Sequence, residues 1–263
     1  MLGSGDFVGG LATRRGGGLA IAAIGQTAGL TLLVPLVVIA GERPSLTALG
    51  FGAAAGLAGS IGVAALYRAL AVGRMGVVAP LTAVGSVMVP LLGSLLLQQS
   101  LPSTVQMFGI ACAVTAGAIV YGFGPIGPRS GLVPSLAAAI LLGAWFVLIE
   151  QGAMDSAAWS IASARAVGAI TMLTTASVSG TWAQVGPNWR LATAAGLLDT
   201  AGTILIVFAV GEVHIVAVAA LASLYPLSTV ALARIVLGER LPWSGRLGAG
   251  AAVVGIALIS AGA

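Results

Sequence analysis

Two charges stand where an apolar chain should hold none. Asp199 lies eight residues into the apolar run Leu191 to Val210, and Arg165 eight residues into Ala157 to Val178. A charge at the centre of a bilayer costs roughly 2.5 to 3.5 kcal/mol even on the lenient insertion scale, so neither belongs there unpaired. The two runs are consecutive and therefore antiparallel, and the spacing sets the charges on opposite sides of the midplane by on the order of 6 Å, a gap an arginine side chain spans. Two readings stay open: a buried ion pair that fixes helix register, or a protonation or substrate-amine site at Asp199 gated by Arg165.

Other residues suggest a cavity. Pro35, Pro80, Pro90, Pro134 and Pro226 fall within apolar runs. A proline there frees a carbonyl and bends its helix, which opens irregular backbone onto a cavity. Pro80 and Pro226 lead this group, because Pro226 follows Ser223-Leu224-Tyr225, which adds a hydroxyl and a phenol. Gln26, Tyr67, Trp145 and Trp159 are further lining candidates, although the two tryptophans, near the ends of their runs, fit an interfacial belt equally well. Glu150 and Asp155 flank a short loop and read as solvated. Glu239, beside Arg240 and Leu241-Pro242, reads as a cap on the next helix or a local partner, and His214, near Glu212, as a helix-end residue.

Enzyme, metal and nucleic-acid chemistries find no support. Gly122-Phe-Gly124-Pro-Ile-Gly127 fits GxGxxG but follows no strand, and HExxH, GxSxG and Walker A patterns are missing. The single Cys112 and single histidine make no ligand set, so neither a metal nor another cofactor is expected. All eleven basic residues are arginines, and no stretch clusters them with aromatics.

The elements that must position these residues follow from composition. The 263 residues are 59% hydrophobic and 7% charged, with a mean hydropathy of +1.10. That balance indicates an all-α polytopic membrane protein, since lipid tolerates only helices and closed barrels and the runs are too long for barrel strands. Nine spans are predicted: Leu19–Ala40, Leu46–Val72, Val77–Leu97, Val105–Phe123, Leu132–Ile149, Ala157–Val178, Leu191–Val210, Ile215–Leu237 and Leu247–Ala263. Leu2 to Ala12 is short, glycine-rich and interrupted by Asp6. It reads as the tail of a tenth helix whose front is missing, and not as a signal peptide. Small-xxx-small pairs, Gly25/Gly29 and Gly52/Gly56, read chiefly as close helix packing.

The spans repeat. Val78 to Pro102 aligns with Val218 to Pro242 at a constant offset, sharing Val78/Val218, Ala79/Ala219, Leu81/Leu221, Leu92/Leu232, Leu97/Leu237 and Leu101-Pro102/Leu241-Pro242. With five spans between the copies, the second is upside down, an arrangement typical of secondary transporters. Arg14, Arg15, Arg68, Arg74, Arg129, Arg190, Arg234, Arg240 and Arg246 fall at one set of alternate ends and only Arg43 at the other. The positive-inside rule then places the arginine-rich set in the cytoplasm and both termini outside.

Ser223-Leu224-Tyr225-Pro226, Leu232-Ala233-Arg234 and Leu237-Gly238-Glu239-Arg240-Leu241, followed by a glycine-rich last helix, resemble the second repeat of EamA-type transporters of the drug/metabolite transporter superfamily. Gly73-Arg74-Met75 and Val78-Ala79-Pro80-Leu81 resemble the matching part of the first repeat, and Gly5-Asp6-Phe7 with Arg14-Arg15 the end of the first helix. The resemblance implies two inverted five-helix repeats, residues 1–124 and 131–263, in a ten-helix fold. It also implies both termini in the cytoplasm, against the arginine count. Gln98-Gln99-Ser100 stands where the second repeat has Gly238-Glu239-Arg240, so any role of Glu239 is not duplicated.

The expected function is alternating-access movement of a small organic metabolite or drug-like solute across a bacterial plasma (inner) membrane, with proton coupling as an extension. Asp199, Arg165, Tyr225, Pro226, Ser223, Pro80, Gln26 and Tyr67 are the candidate substrate-binding or coupling residues. Expected partners are the solute and membrane lipid, with no nucleic acid; a homodimer is left open. The alternatives are a non-transporting subunit or inactive truncated paralogue and, at greater distance, a membrane-embedded lipid-modifying enzyme.

Overall fold

The computed structural model describes residues 1–98, 103–122, 131–210, 225–239 and 243–261. Among them every regular element is helical. The α-helices are α1 (Leu2–Arg15), α2 (Gly18–Ala40), α3 (Leu46–Val72), α4 (Met75–Gln98), α5 (Thr104–Gly122), α6 (Leu132–Ala153), α7 (Ala157–Val178), α8 (Trp189–Val210), α9 (Pro226–Val236) and α10 (Trp243–Ala261), with two short 3-10 turns between Thr181 and Asn188. Among the described residues four helices, α2, α3, α6 and α7, are long and apolar enough to cross a membrane. Helices occupy eight of the nine predicted spans to within four residues at either end. Ile215–Leu237 is described only from Tyr225 onward, so His214, Glu212 and Ser223 lie outside the described residues, as do most of the GxGxxG match and the Leu101-Pro102 and Leu241-Pro242 corners.

Local chemistry sets the helix ends. Ser45 Oγ accepts the Ala48 N–H at 3.0 Å and Ser156 Oγ the Trp159 N–H at 3.2 Å, N-caps that start α3 and α7. Gly41, at φ 62°, turns the chain out of α2 in the left-handed conformation that glycine adopts without penalty. The prolines divide into two groups. Pro35, Pro80 and Pro90 are helix-interior, whereas Pro134 sits in the first turn of α6 and Pro226 is the first residue of α9. First-turn prolines remove no helical hydrogen bond, so the bend expected at these two does not arise from the described helices.

Packing inverts the soluble pattern. Val38, Ile39, Leu46, Ile140, Ile170 and Val178 are exposed, while buried positions are largely alanine and glycine. That is the surface a lipid-facing bundle needs, with small residues bringing backbones together. Helix α3 packs on α6 and α7, α2 on α7 and α8, α1 on α8, α3 and α9, α4 on α6 and α9, and α5 on α10. Helix α1 is therefore enclosed, with Gly3, Gly5, Asp6, Phe7, Gly9, Gly10 and Ala12 buried. A helix that reads in sequence as a fragment is central to the bundle.

The two ends of the bundle are tied differently. At one end Arg14 donates from Nε to Leu70 O at 3.2 Å, and from Nη2 to Gly73 O at 3.1 Å and Glu239 Oε1 at 3.0 Å. Glu239 Oε2 accepts the Gly76 N–H at 3.4 Å, and Asn188 Nδ2 donates to Arg15 O at 3.2 Å. Glu239 thus caps α4 and pairs with a residue of α1, where a cap on its own next helix or a local pair was expected. At the other end Glu42 Oε2 accepts from Ser156 Oγ and, at 3.2 Å, from the Ala158 N–H. Trp159 Nε1 donates to Glu42 O at 2.8 Å, and Ser45 Oγ donates to Asp155 Oδ2 at 3.0 Å. Trp159 and Asp155 therefore belong to this tie.

Candidate functional site

Between these ends, near mid-depth, lies a cavity of about 90 Å³ lined by residues of α1, α2, α3, α4, α6, α7 and α8 together with Tyr225. Close backbone approach creates the frame. A Cβ on Gly56 would overlap the Ala164 carbonyl, and one on Gly196 would overlap the backbone of Gly25. A Cβ on Gly5 would lie 3.1 Å from the Asp199 amide nitrogen. These contacts bring α1 and α2 onto α8, and α3 onto α7, so that side chains of both chain halves converge on one space.

Arg165 is the hub. It is 7% exposed, and its guanidinium donates from Nη1 to Gln26 Oε1 at 2.8 Å, and from Nη2 to Asp199 Oδ2 at 2.6 Å and Thr203 Oγ1 at 2.9 Å. Thr203 Oγ1 in turn donates to Asp199 O, one turn back, at 2.9 Å. The network answers the cost that made the two charges conspicuous, because each hydrogen bond of the guanidinium is charge-assisted and the pair is shielded from water. It ties α7 to α8 within the second half of the chain and to α2 in the first.

Not every candidate reaches the cavity. Asp199, Arg165, Gln26 and Tyr225 line it. Tyr67 and Pro80 are buried but absent from the lining: Tyr67 packs where a Cβ on Gly9 would meet its ring, and Pro80 lies inside α4. Pro226 is placed by its backbone at the start of α9, and Ser223 lies outside the described residues. Trp145 lines the cavity, edge-on to Phe146 at 5.1 Å, instead of serving an interfacial belt. Four polar residues escaped the sequence reading as cavity groups: Asp6, Ser60, Ser86 and Thr203. Asp6 carried a usable signal, being an acid among apolar residues in a helix ending in paired arginines.

Asp6 is 6% exposed, and no hydrogen bond or ion pair to its carboxylate occurs among the described residues. Tyr225 Oη is likewise buried without a partner among them. Towards the Arg14 end, Phe7, Leu66, Leu70, Met75, Val78 and Ala233 form one buried apolar cluster. No group of three or more His, Cys, Asp or Glu residues able to hold a metal occurs among the described residues. The arrangement offers a small, largely apolar space with two carboxylates, one guanidinium and a phenol.

Comparison with known proteins accords with a membrane bundle. A family model described as EamA-like transporter family matches residues 129–261, just over half of the chain. No curated protein matches. Among solved structures 15 chains match. One crystal structure superposes with a TM-score of 0.65 at 16% identity, covering 98% of this chain and 94% of its own, and so shares the fold.

Proposed function

We propose, because the chain belongs to the EamA-like transporter family, that it is a multi-pass secondary carrier moving a small organic solute by alternating access between two inverted five-helix repeats. The observation that carries this reading is the mid-depth cavity, whose polar groups come from both halves of the chain. Transporters of inverted-repeat design keep their sites at such an interface near the midplane. With repeats at 1–124 and 131–263, α1 to α5 correspond in order to α6 to α10.

Helix contacts support that correspondence. Exchanging the halves turns the α3–α6 contact into α8–α1, α3–α7 into α8–α2 and α4–α6 into α9–α1, and every one of these pairs is packed; α2–α7, α4–α9 and α5–α10 map onto themselves. The end ties obey the same exchange. Bonds between the α2–α3 and α6–α7 connections at the Glu42 end match the bond from the α7–α8 connection to the end of α1 at the Asn188 end. The Arg14–Glu239 pair breaks the pattern, since the residue at the matching offset is the neutral Gln99. One end of the carrier therefore holds an ion pair whose sequence counterpart is uncharged. The arginine-rich end, with Arg14, Arg74 and Arg190, is the cytoplasmic one under the positive-inside rule.

Cysteine labelling tests the inversion. In a Cys112→Ala background, single cysteines replace Arg15 and Met154, the two copies of one corner, and Ala183 and Arg43, the two copies of another; all four positions are exposed. An impermeant thiol reagent should reach the first of each pair from the cytoplasm and the second only from the opposite side. Labelling of Arg15→Cys and Met154→Cys from one and the same side would end the inverted-repeat reading.

A further inference from the structure

We infer that the cavity binds the positively charged end of a short organic cation, with the Asp6 carboxylate as its counter-ion and Trp145 and Phe146 as the wall for its apolar body. This rests on the carrier reading for its meaning in transport, but the binding site stands on its own observations. The cavity holds two carboxylates and one guanidinium, and the guanidinium is committed to Asp199. Asp6 thus has no hydrogen bond or ion pair among the described residues, although it is more than nine-tenths buried and lines the same space. The Met1 amino group acts on Asp6 from a distance, without an ion pair or hydrogen bond to it, and Met1 itself is exposed outside the lining.

A lone carboxylate in apolar surroundings is costly, and a cation placed against it removes that cost. Tyr225 Oη, buried and unpartnered beside the same space, supplies the second polar contact: it donates to a carboxylate oxygen or accepts from an ammonium N–H. Trp145 adds to the lining an aromatic ring of the kind that attracts organic cations. An inorganic cation is poorly served, because sodium-like ions want a shell of oxygens and most of the remaining lining is leucine, isoleucine, valine and aromatic carbon. An anion finds the guanidinium already committed to Asp199.

The test is calorimetric titration of the purified full chain in lipid nanodiscs with n-butylammonium, butanoate, 1-butanol and sodium chloride, four probes that separate charge from apolar bulk. Saturable binding of n-butylammonium alone is expected. Asp6→Asn should weaken it by about thirtyfold or more, since truncating one partner of a buried charge pair costs at least about 2 kcal/mol, and Asp6→Glu should recover most of it. Equal or tighter binding of butanoate or butanol, displacement by millimolar sodium, or unchanged affinity in a folded Asp6→Asn protein would each overturn the assignment. Should Asp6→Asn fail to fold, the wild-type preference among the four probes decides. Ammonium binding without solute flux in liposomes would sink the carrier reading and spare this one; flux of other solutes without ammonium binding would do the reverse.

Discussion

Arg165→Met should abolish solute uptake and lower stability by about 3 to 5 kcal/mol, the typical cost of breaking a buried ion pair from one side. The size follows from what the substitution leaves behind. Asp199 loses its counter-charge while still mostly buried, Gln26 Oε1 loses its donor, and the α2–α7 link through the guanidinium disappears. Replacing both charges has a different consequence. In Arg165→Met/Asp199→Leu neither charge remains to be desolvated, and substitution of whole buried pairs by apolar residues is often neutral or stabilising. Thermal melting should therefore recover to within about 1 kcal/mol of the wild-type protein, while transport stays at background because the polar floor of the cavity is gone. A double variant as unstable as the single one would show that the pair is not what Arg165 contributes. A double variant that transports normally would remove the pair from the site.

Gly196→Ala should be the most damaging single methyl in the bundle, and Gly25→Ala, across the same contact, should be nearly silent. A Cβ on Gly196 would overlap the carbonyl oxygen, carbonyl carbon and Cα of Gly25, all backbone atoms with no rotamer to yield. Helices α2 and α8 must then separate, and with them Gln26 and Asp199, which Arg165 bridges. A Cβ on Gly25 has its nearest neighbour, Ala192 O, at 3.4 Å, an ordinary contact. Overpacking typically costs about 1 to 3 kcal/mol and here should reach the upper part of that range or exceed it. Gly50→Ala, where nothing lies within 4 Å, serves as the control and should gain up to about 1 kcal/mol from helix propensity. Melting of the three variants side by side is the measurement; equal losses for Gly196→Ala and Gly25→Ala would contradict the close approach.

The contrast between Gly25 and Gly196 marks where sequence reasoning stops. The small-residue pair at Gly25/Gly29 announces a close contact on α2, but which partner atoms it meets depends on the rotation of α8. A helix that is apolar all round carries no periodic signal for that rotation. For the same reason the sequence does not separate Tyr67 and Pro80, which lie outside the lining of the cavity, from Gln26 and Tyr225, which belong to it. The Arg165–Asp199 bond was legible because two charges in consecutive apolar runs have few other partners. Asp6 was obscured by its own neighbours: Gly3, Gly5 and Gly9 weaken α1 as an isolated helix, yet they let it lie against Tyr225, Asp199 and Tyr67. Trp145 stays open in the sequence between cavity lining and interfacial belt because its run reads as ending at Ile149, whereas α6 continues to Ala153 and leaves the ring farther from the helix end. Glu239 was read locally because its partner, Arg14, lies 225 residues away in sequence.

Exposure of the cavity to each side in turn is the decisive property of a carrier, and Ser60, buried in the lining, reports it. In a Cys112→Ala background, Ser60→Cys should react with an impermeant thiol reagent applied to either face of sealed vesicles. Adding Glu239→Gln removes the charge that pairs with Arg14 and leaves at most one oxygen to share between Arg14 and the Gly76 N–H. It should raise the rate from the arginine-rich face by about two- to fivefold, the shift expected from losing a partly exposed pair, and lower the rate from the opposite face. Reaction from one face only in both proteins, or rates that rise together on both faces, would contradict alternating access.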